Sequence, residues 1–411
     1  MEESIRKNLT SPVGPQQERT EASQVVRRDG KLKRVTGNAR DYIFQDYTIP
    51  PSSTKFHHLI AQMQLPDGSI HAVGTAELHQ ELSECFAEFA AVAPEDATLV
   101  ASYVLLTWVA DRLEFCPPLL LLASSPGDAL PLLHVLRVCC RNALGLRSCV
   151  AAPELPSELE PTLIMDLSCL SPSRVRVIAS ANSRQFRQAV GERLVNTAMP
   201  KIILCREALS DFPTLQVALQ PSCVNVPRTH VLNQLATRFQ PRLLGYRMDF
   251  QECEFADHKF TVPGNSVALV GNSLLFAIQN VEQLRQQLLE IIDAEAQANL
   301  AEILGTPESL SVECIINAMH AHNVSSLTCG EIAQRANLLA EVRGETSKMK
   351  ARGVGTLLRL LGLHTRRIPG KGRGILFDAK TRELAHQAAW ARNLPAVAKP
   401  AEGCLNCKPK R

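Results

Sequence analysis

Residues 343–382 hold eleven lysines and arginines against two acidic residues, a net charge of +9. The whole chain carries only +3, and residues 41–342 carry 19 basic against 32 acidic side chains. A compact cationic segment on an acidic body suits a local polyanion, because release of condensed counterions drives such binding. Within residues 348–362 the cations follow a helical spacing. Lys348, Arg352, Gly355 and Arg359 fall at i, i+4, i+7 and i+11, while Val354, Leu357, Leu358 and Leu361 form an apolar stripe. A helix entering a DNA major groove needs this division, with one side on its own domain and long cations on the other. Arg366, Arg367, Lys371 and Arg373 follow around Pro369-Gly370-Lys371-Gly372, whose glycines permit close backbone approach to phosphate. No aromatic side chain interleaves these cations, which favours duplex contact over stacking on single strands. These eight residues are the candidate DNA contacts. A solvated charged face on a protein-docking module is the competing reading.

Other reactive residues are sparse. Cys404-Leu-Asn-Cys407 is a C-x-x-C, and two thiolates make half a zinc site. The sequence has no second C-x-x-C, so no metal site is assigned. Cys404 and Cys407 stand as its candidates, with His386 or Cys329 able to join them if the tail folds back. His57-His58 has no nearby carboxylate. His320 and His322 end a helical pattern, where a cation complements the helix dipole, and are read as structural rather than ligating. Neither G-x-S-x-G, H-E-x-x-H nor G-x-G-x-x-G occurs, which leaves hydrolase and dehydrogenase chemistry without a signature.

A third constellation lies mid-chain. An apolar run from Leu119 ends in Ser125-Pro126-Gly127 before a helical pattern, and Pro161-Thr-Leu-Ile-Met-Asp166 is an apolar run ending in an acid. With Leu106-Thr-Trp-Val109 ahead of them, and Ala181-Asn-Ser-Arg184 and Pro200-Lys-Ile-Ile-Leu204 behind, these segments resemble the AAA-like, P-loop ATPase domain of primase–helicase-type proteins from phages and other mobile elements. The resemblance covers roughly residues 95–230. It implies a P-loop NTPase-like fold, with Ser125, Pro126, Gly127 and Asp166 where nucleotide and Mg²⁺ would bind. The motifs depart from that family where chemistry is done. Asp128-Ala129-Leu130-Pro131 stands where a phosphate-binding Gly-Lys-Thr belongs, and Leu167 follows Asp166 where a catalytic acid belongs. Without the lysine and that acid, hydrolysis is not expected. Neither ATP, Mg²⁺ nor zinc is expected as a cofactor.

The surrounding periodicity places these residues. Helices are predicted over 75–90, 94–111, 130–141, 184–194, 281–304, 310–321, 328–337, 348–362 and 380–391. Strands are predicted over 119–123, 162–165, 175–180, 201–205, 364–368 and 374–377. A hairpin is predicted around Pro66-Asp67-Gly68. Apolar strands separated by helices imply a mostly parallel sheet covered on both faces. The resulting fold class is α/β, a P-loop-like sheet with flanking helices plus a C-terminal winged helix. The domains read as a disordered basic arm (1–38), an α/β lead-in (39–116), the degenerate P-loop-like domain (117–250), a helical connector (251–309), the winged helix (310–393) and a flexible tail (394–411).

Hydrophobic residues make up 45% of the chain, which excludes a disordered protein. The polar start lacks a secretory pattern, and the run at 117–123 is too short to span a bilayer. The 13 cysteines show no framework spacing, so a reducing, cytoplasmic setting without membrane contact is expected. Arg184, Arg187 and Arg193 suit either a trans-acting finger in a homo-oligomer or a solvated helix face. The function expected is a DNA-binding protein without catalysis, in replication or regulation of a mobile element or its host. The alternatives are an ATP-dependent helicase or helicase-loader subunit, and a scaffold that binds protein.

Overall fold

The computed structural model describes residues 23–37, 41–49, 57–90, 92–146, 159–179, 187–190, 193–196, 198–209, 213–221, 226–250, 265–321, 324–344, 348–392, 394 and 404–407. They divide into two compact units, residues 1–258 with 268–288, and residues 259–267 with 289–411.

The first unit is mixed α/β. It begins with an antiparallel sheet of β1 (Ser23–Arg28), β2 (Lys31–Thr36) and β3 (Ile43–Asp46). The disordered arm expected through residue 38 is thereby corrected for residues 23–36. Val25, Val26 and Val35 are fully buried, and Asp29-Gly30 turns the chain with both φ values positive. Helices α1 (His57–Gln62), α2 (Thr75–Phe89) and α3 (Pro94–Val109) follow. The hairpin predicted around Pro66 is therefore replaced by a helix on its amino side, with Ile60 buried in α1 and Met63 buried just past its end. Every residue of α3 from Ala97 to Val109 is buried, as for a helix covered on all sides.

The central sheet contains β4 (Leu119–Leu122), β5 (Leu144–Leu146), β6 (Leu163–Asp166), β9 (Lys201–Cys205) and β10 (Leu215–Ala218), all parallel, in the order β10-β4-β9-β6-β5. Helices α4 (Pro126–Cys139) and α5 (Pro172–Ala179) fall between these strands in the chain, and α6 (Thr229–Asp249) and α7 (Asn265–Ala277) come after them. Near-continuous apolar strands such as Leu119–Leu122 are what a sheet covered on both faces requires. Two predicted elements exchange character. Residues 175–180, read as a strand from their β-branched run, lie largely in α5. Pro172 opens that helix, and Val175 and Ala179 bury at i and i+4. Residues 184–194, read as a helix, instead contain strand β7 (Arg187–Val190). It pairs antiparallel with β8 (Arg193–Asn196), with Val190 opposite Arg193.

The second unit contains α9 (Pro307–His320), β11 (Ser326–Thr328), α10 (Cys329–Val342), α11 (Ala351–Leu360), β12 (Arg366–Ile368), β13 (Gly372–Leu376) and α12 (Ala379–Ala391). Helix α8 (Glu282–Gly305) precedes them in the chain. The strands form an antiparallel sheet in the order β11-β13-β12. Val312, Ile316, Leu327, Ile332, Val354, Leu358, Ile375 and Ala385 share one core. Residue Thr328 closes β11 and caps α10. Its hydroxyl accepts from the Glu331 amide at 3.1 Å, while its own amide donates to the Glu331 carboxylate at 2.7 Å. Thr328→Ala is expected to lower the stability of this unit by about 1 kcal/mol, read from urea unfolding. A loss below the error of the fit would mean that the box contributes nothing beyond water contacts.

Candidate nucleic-acid interface

The cationic helix is shorter than its periodicity suggests. It starts at Ala351, with Lys350 in extended backbone at its N-cap. Lys348 therefore sits in the segment before α11, not on the helix. Val354, Leu357 and Leu358 are buried, whereas Arg352, Gly353, Thr356, Arg359 and Leu360 are exposed. Gly355 belongs to the inner side. A Cβ there would meet Cys329 Sγ at 3.7 Å, so this glycine sits against its own domain rather than on the open face. Gly353 takes the open position, with nothing within 4 Å of an added Cβ. Arg352 and Arg359 keep the i, i+7 relation and project to solvent. Among the described residues neither has an acidic partner within ion-pair distance.

The hairpin β12–β13 supplies the other four cations, all exposed. Arg367 and Arg373 are direct cross-strand partners, a like-charge juxtaposition that is unfavourable until an anion meets it. Arg373 Nε donates to Thr365 Oγ1 at 2.9 Å, and Arg366 lies 4.0 Å from Asp378. Gly370 and Gly372 at the tip both have positive φ. The hairpin and α11 are anchored on the same short stretch. Gly374 of β13 pairs with Thr328 of β11, and Gly355 of α11 faces Cys329. Hydrogen bonds from the Thr328 backbone and hydroxyl hold the Glu331 carboxyl below its usual range, with smaller help from Lys371 and Arg335.

The mid-chain candidates have local roles. The turn from β4 to α4 is three residues long. Ser125 is the N-cap, its hydroxyl accepting from the Gly127 amide at 3.3 Å, with Pro126 at the first helical position. Pro131 lies inside α4 and gives that helix no amide at its position. Asp166 ends β6 and accepts from the amide and hydroxyl of Ser168 at 3.1 and 2.7 Å. Ser125 lies three residues past the carboxyl end of β4 and Asp166 is the last residue of β6, two parallel strands separated by β9.

A further grouping escaped the sequence reading. His320 at the end of α9, His386 of α12, Cys404 and Cys407 bring one ligating atom each to within 4.8 Å of the others. The tail was expected to be flexible from residue 394. Instead Leu394 is fully buried, and Cys404 and Cys407 pack against the two helices. His320, read as a dipole partner, belongs to this cluster. His57 and His58 are exposed, and His322 lies outside the described residues. The signal that was present is the C-x-x-C. The histidines lie 18 to 87 positions away from it, at distances that spacing rules do not reach.

No family model matches the chain, and no curated protein matches it. Among solved structures, two apo A-form structures of the NrS-1 C terminal region align with 86% of this chain and 96% of theirs. Identity is 9% in both, with TM-scores of 0.34 and 0.33. A Drosophila ORC structure bound to DNA aligns over the same shares at 12% identity, with a TM-score of 0.14. Scores this low carry no assignment. Among the described residues no helix is long and apolar enough to cross a membrane.

Proposed function

We propose that the chain is a DNA-binding protein whose second unit is a winged helix. In this reading α11 is the recognition helix and the β12–β13 hairpin is the wing. The order helix, strand, helix, helix, hairpin supports it, with β11 completing the three-stranded sheet. The observation that carries the reading is the division of α11. Val354, Leu357 and Leu358 seat it in the core, while Arg352 and Arg359 stand clear of any acidic partner among the described residues. Arg366, Arg367, Lys371 and Arg373 extend that charge on an element anchored to the same Leu327–Cys329 stretch. These side chains would contact phosphates, which position a duplex without selecting its sequence. In the same reading the first unit is a P-loop-like scaffold without turnover. Ser125 and Asp166 are engaged in capping and turn bonds, and no lysine follows Gly127.

The test is duplex affinity against salt, with and without ATP, for the wild type and for Arg352→Ala/Arg359→Ala. The wild type is expected to weaken linearly in log–log form. The double variant is expected to bind more weakly at every salt concentration, with a slope shallower by about 2, near one per lost phosphate contact. ATP is expected to leave both curves unchanged. Absence of binding at low salt would transfer the reading to a protein-docking module, and an ATP-dependent curve would restore a nucleotide site to the first unit.

A further inference from the structure

The second unit contains a four-point cluster that the DNA reading does not use. His386 Nε2 lies 3.3 Å from His320 Nε2, 3.3 Å from Cys404 Sγ and 3.5 Å from Cys407 Sγ, and Cys407 Sγ lies 3.1 Å from His320 Nε2. A tetrahedral ion with Zn–N near ~2.0 Å and Zn–S near ~2.3 Å has N···N and N···S edges of roughly 3.3–3.5 Å. Three of the four contacts fall on those edges, and the fourth, Cys407 Sγ to His320 Nε2, is shorter at 3.1 Å.

The chemistry of the donors agrees with the geometry. His386 Nδ1 lies 2.7 Å from the Arg382 carbonyl, which can only accept, so Nδ1 bears the proton and Nε2 turns a lone pair toward the cluster. That is the carbonyl-anchored arrangement by which proteins orient metal-ligating imidazoles. The carbonyl is itself in a fixed frame, because Arg382 donates to the carbonyls of Phe377 and Met319. Two imidazole nitrogens and two sulfurs thus converge within 4.8 Å of one another, the donor set of a Cys2His2 site. A short 3-10 turn, Leu405–Cys407, places Cys404 and Cys407 on one side of the tail, as a C-x-x-C does in zinc-binding knuckles. His386 and Cys407 are almost wholly buried, at 2% and 1% exposure.

We propose that His320, His386, Cys404 and Cys407 bind one Zn²⁺ that staples the C-terminal tail to α9 and α12. Two thiolates with two imidazoles in a tetrahedron select zinc over the hard, oxygen-seeking cations. All four positions are filled by protein, so the site is structural and holds no place for a substrate. It ties the end of α9 to the middle of α12, while the cationic face of α11 is built from other residues.

Three measurements on the full chain test this. The reduced wild type, equilibrated with Zn²⁺ and desalted, is expected to retain about one zinc per chain by elemental analysis. Titration of the apoprotein with Co²⁺ is expected to give the intense visible bands of a four-coordinate ion together with a thiolate-to-cobalt charge-transfer band. Cys404→Ala/Cys407→Ala is expected to lose both signals, whereas Cys169→Ser, which removes an exposed thiol elsewhere, keeps them. Zinc retained by the double variant, or a wild type with neither zinc nor the thiolate band, would overturn the proposal. Should the double variant fail to fold, the cobalt titration of the wild type decides alone. The salt-dependent DNA assay is read separately, so failure of one proposal leaves the other standing.

Discussion

Asp111→Ala is expected to destabilise the first unit by about 3–5 kcal/mol, because it strands two buried guanidinium groups. Arg247 makes a two-point contact with this carboxylate, 2.8 Å from Nη1 to Oδ1 and 2.8 Å from Nη2 to Oδ2. Arg141 Nη1 reaches Oδ1 at 3.3 Å. Both arginines are 1% exposed. The rest of the network is fastened around them. Arg141 Nε donates to Gln24, Gln24 donates to Asn142, and Arg247 donates to the carbonyls of Ser23 and Trp108. One aspartate thus ties α3's end, the turn after α4, α6 and strand β1 together.

The same contacts fix the pH response. Burial by itself would raise the Asp111 carboxyl, but Arg141 and then Arg247, with Arg112 behind them, outweigh it and hold the group well below the usual carboxylate range. A depressed folded-state pKa means the contribution is fully present above the unfolded value of about 3.9 and is lost as pH falls through the folded value. Urea unfolding from pH 7 down to pH 3 should show the wild type losing stability toward the acid end. Asp111→Asn, which keeps the shape and removes the charge, should begin low and lack that component. An alanine variant within about 1 kcal/mol of wild type would show that water reaches the arginines and replaces the carboxylate.

Gly374→Ala is expected to have the second large effect, about 3 kcal/mol or more on the second unit. A Cβ at this position would lie 2.1 Å from the Leu327 carbonyl oxygen and 2.6 Å from Thr328 Cα. Both are backbone atoms, so no rotamer change relieves the overlap, and β13 must separate from β11. Those strands pair Thr328 with Gly374 and Leu327 with Ile375, and Thr328 also caps α10. The displacement therefore reaches the hairpin and the capping box together. Gly353→Ala is the matched control. It lies in helical backbone with open space around it, and alanine there should stabilise by up to about 1 kcal/mol. Thermal unfolding of both variants checks the pair. Under the DNA reading, Gly374→Ala should also weaken duplex binding while every cation remains in place. Equal stability of the two variants would mean the hairpin yields without cost.

The amino-acid sequence by itself determined the elements whose cause is local. Apolar runs marked β4, β6 and β9, and the capping residues Thr328 and Glu331 marked the start of α10. The charge count isolated the segment containing α11 and the hairpin, and C-x-x-C marked the two cysteines. Local pattern failed where two structures share one signal. The β-branched residues near Val175 read as a strand, yet Pro172 and one buried face made them helical. The 184–194 stretch read as a helix, yet Arg187–Val190 pairs as a strand with Arg193–Asn196. The inward position of Gly355 and the exposure of Gly353 depended on where that helix meets Cys329. Tertiary structure alone decided the pairing of Asp111 with Arg141 and Arg247, and the meeting of His320 with Cys407 across 87 positions. Periodicity reports which face of an element is apolar. It carries no information about which distant element will cover that face, and buried charges and metal ligands are defined by that second fact.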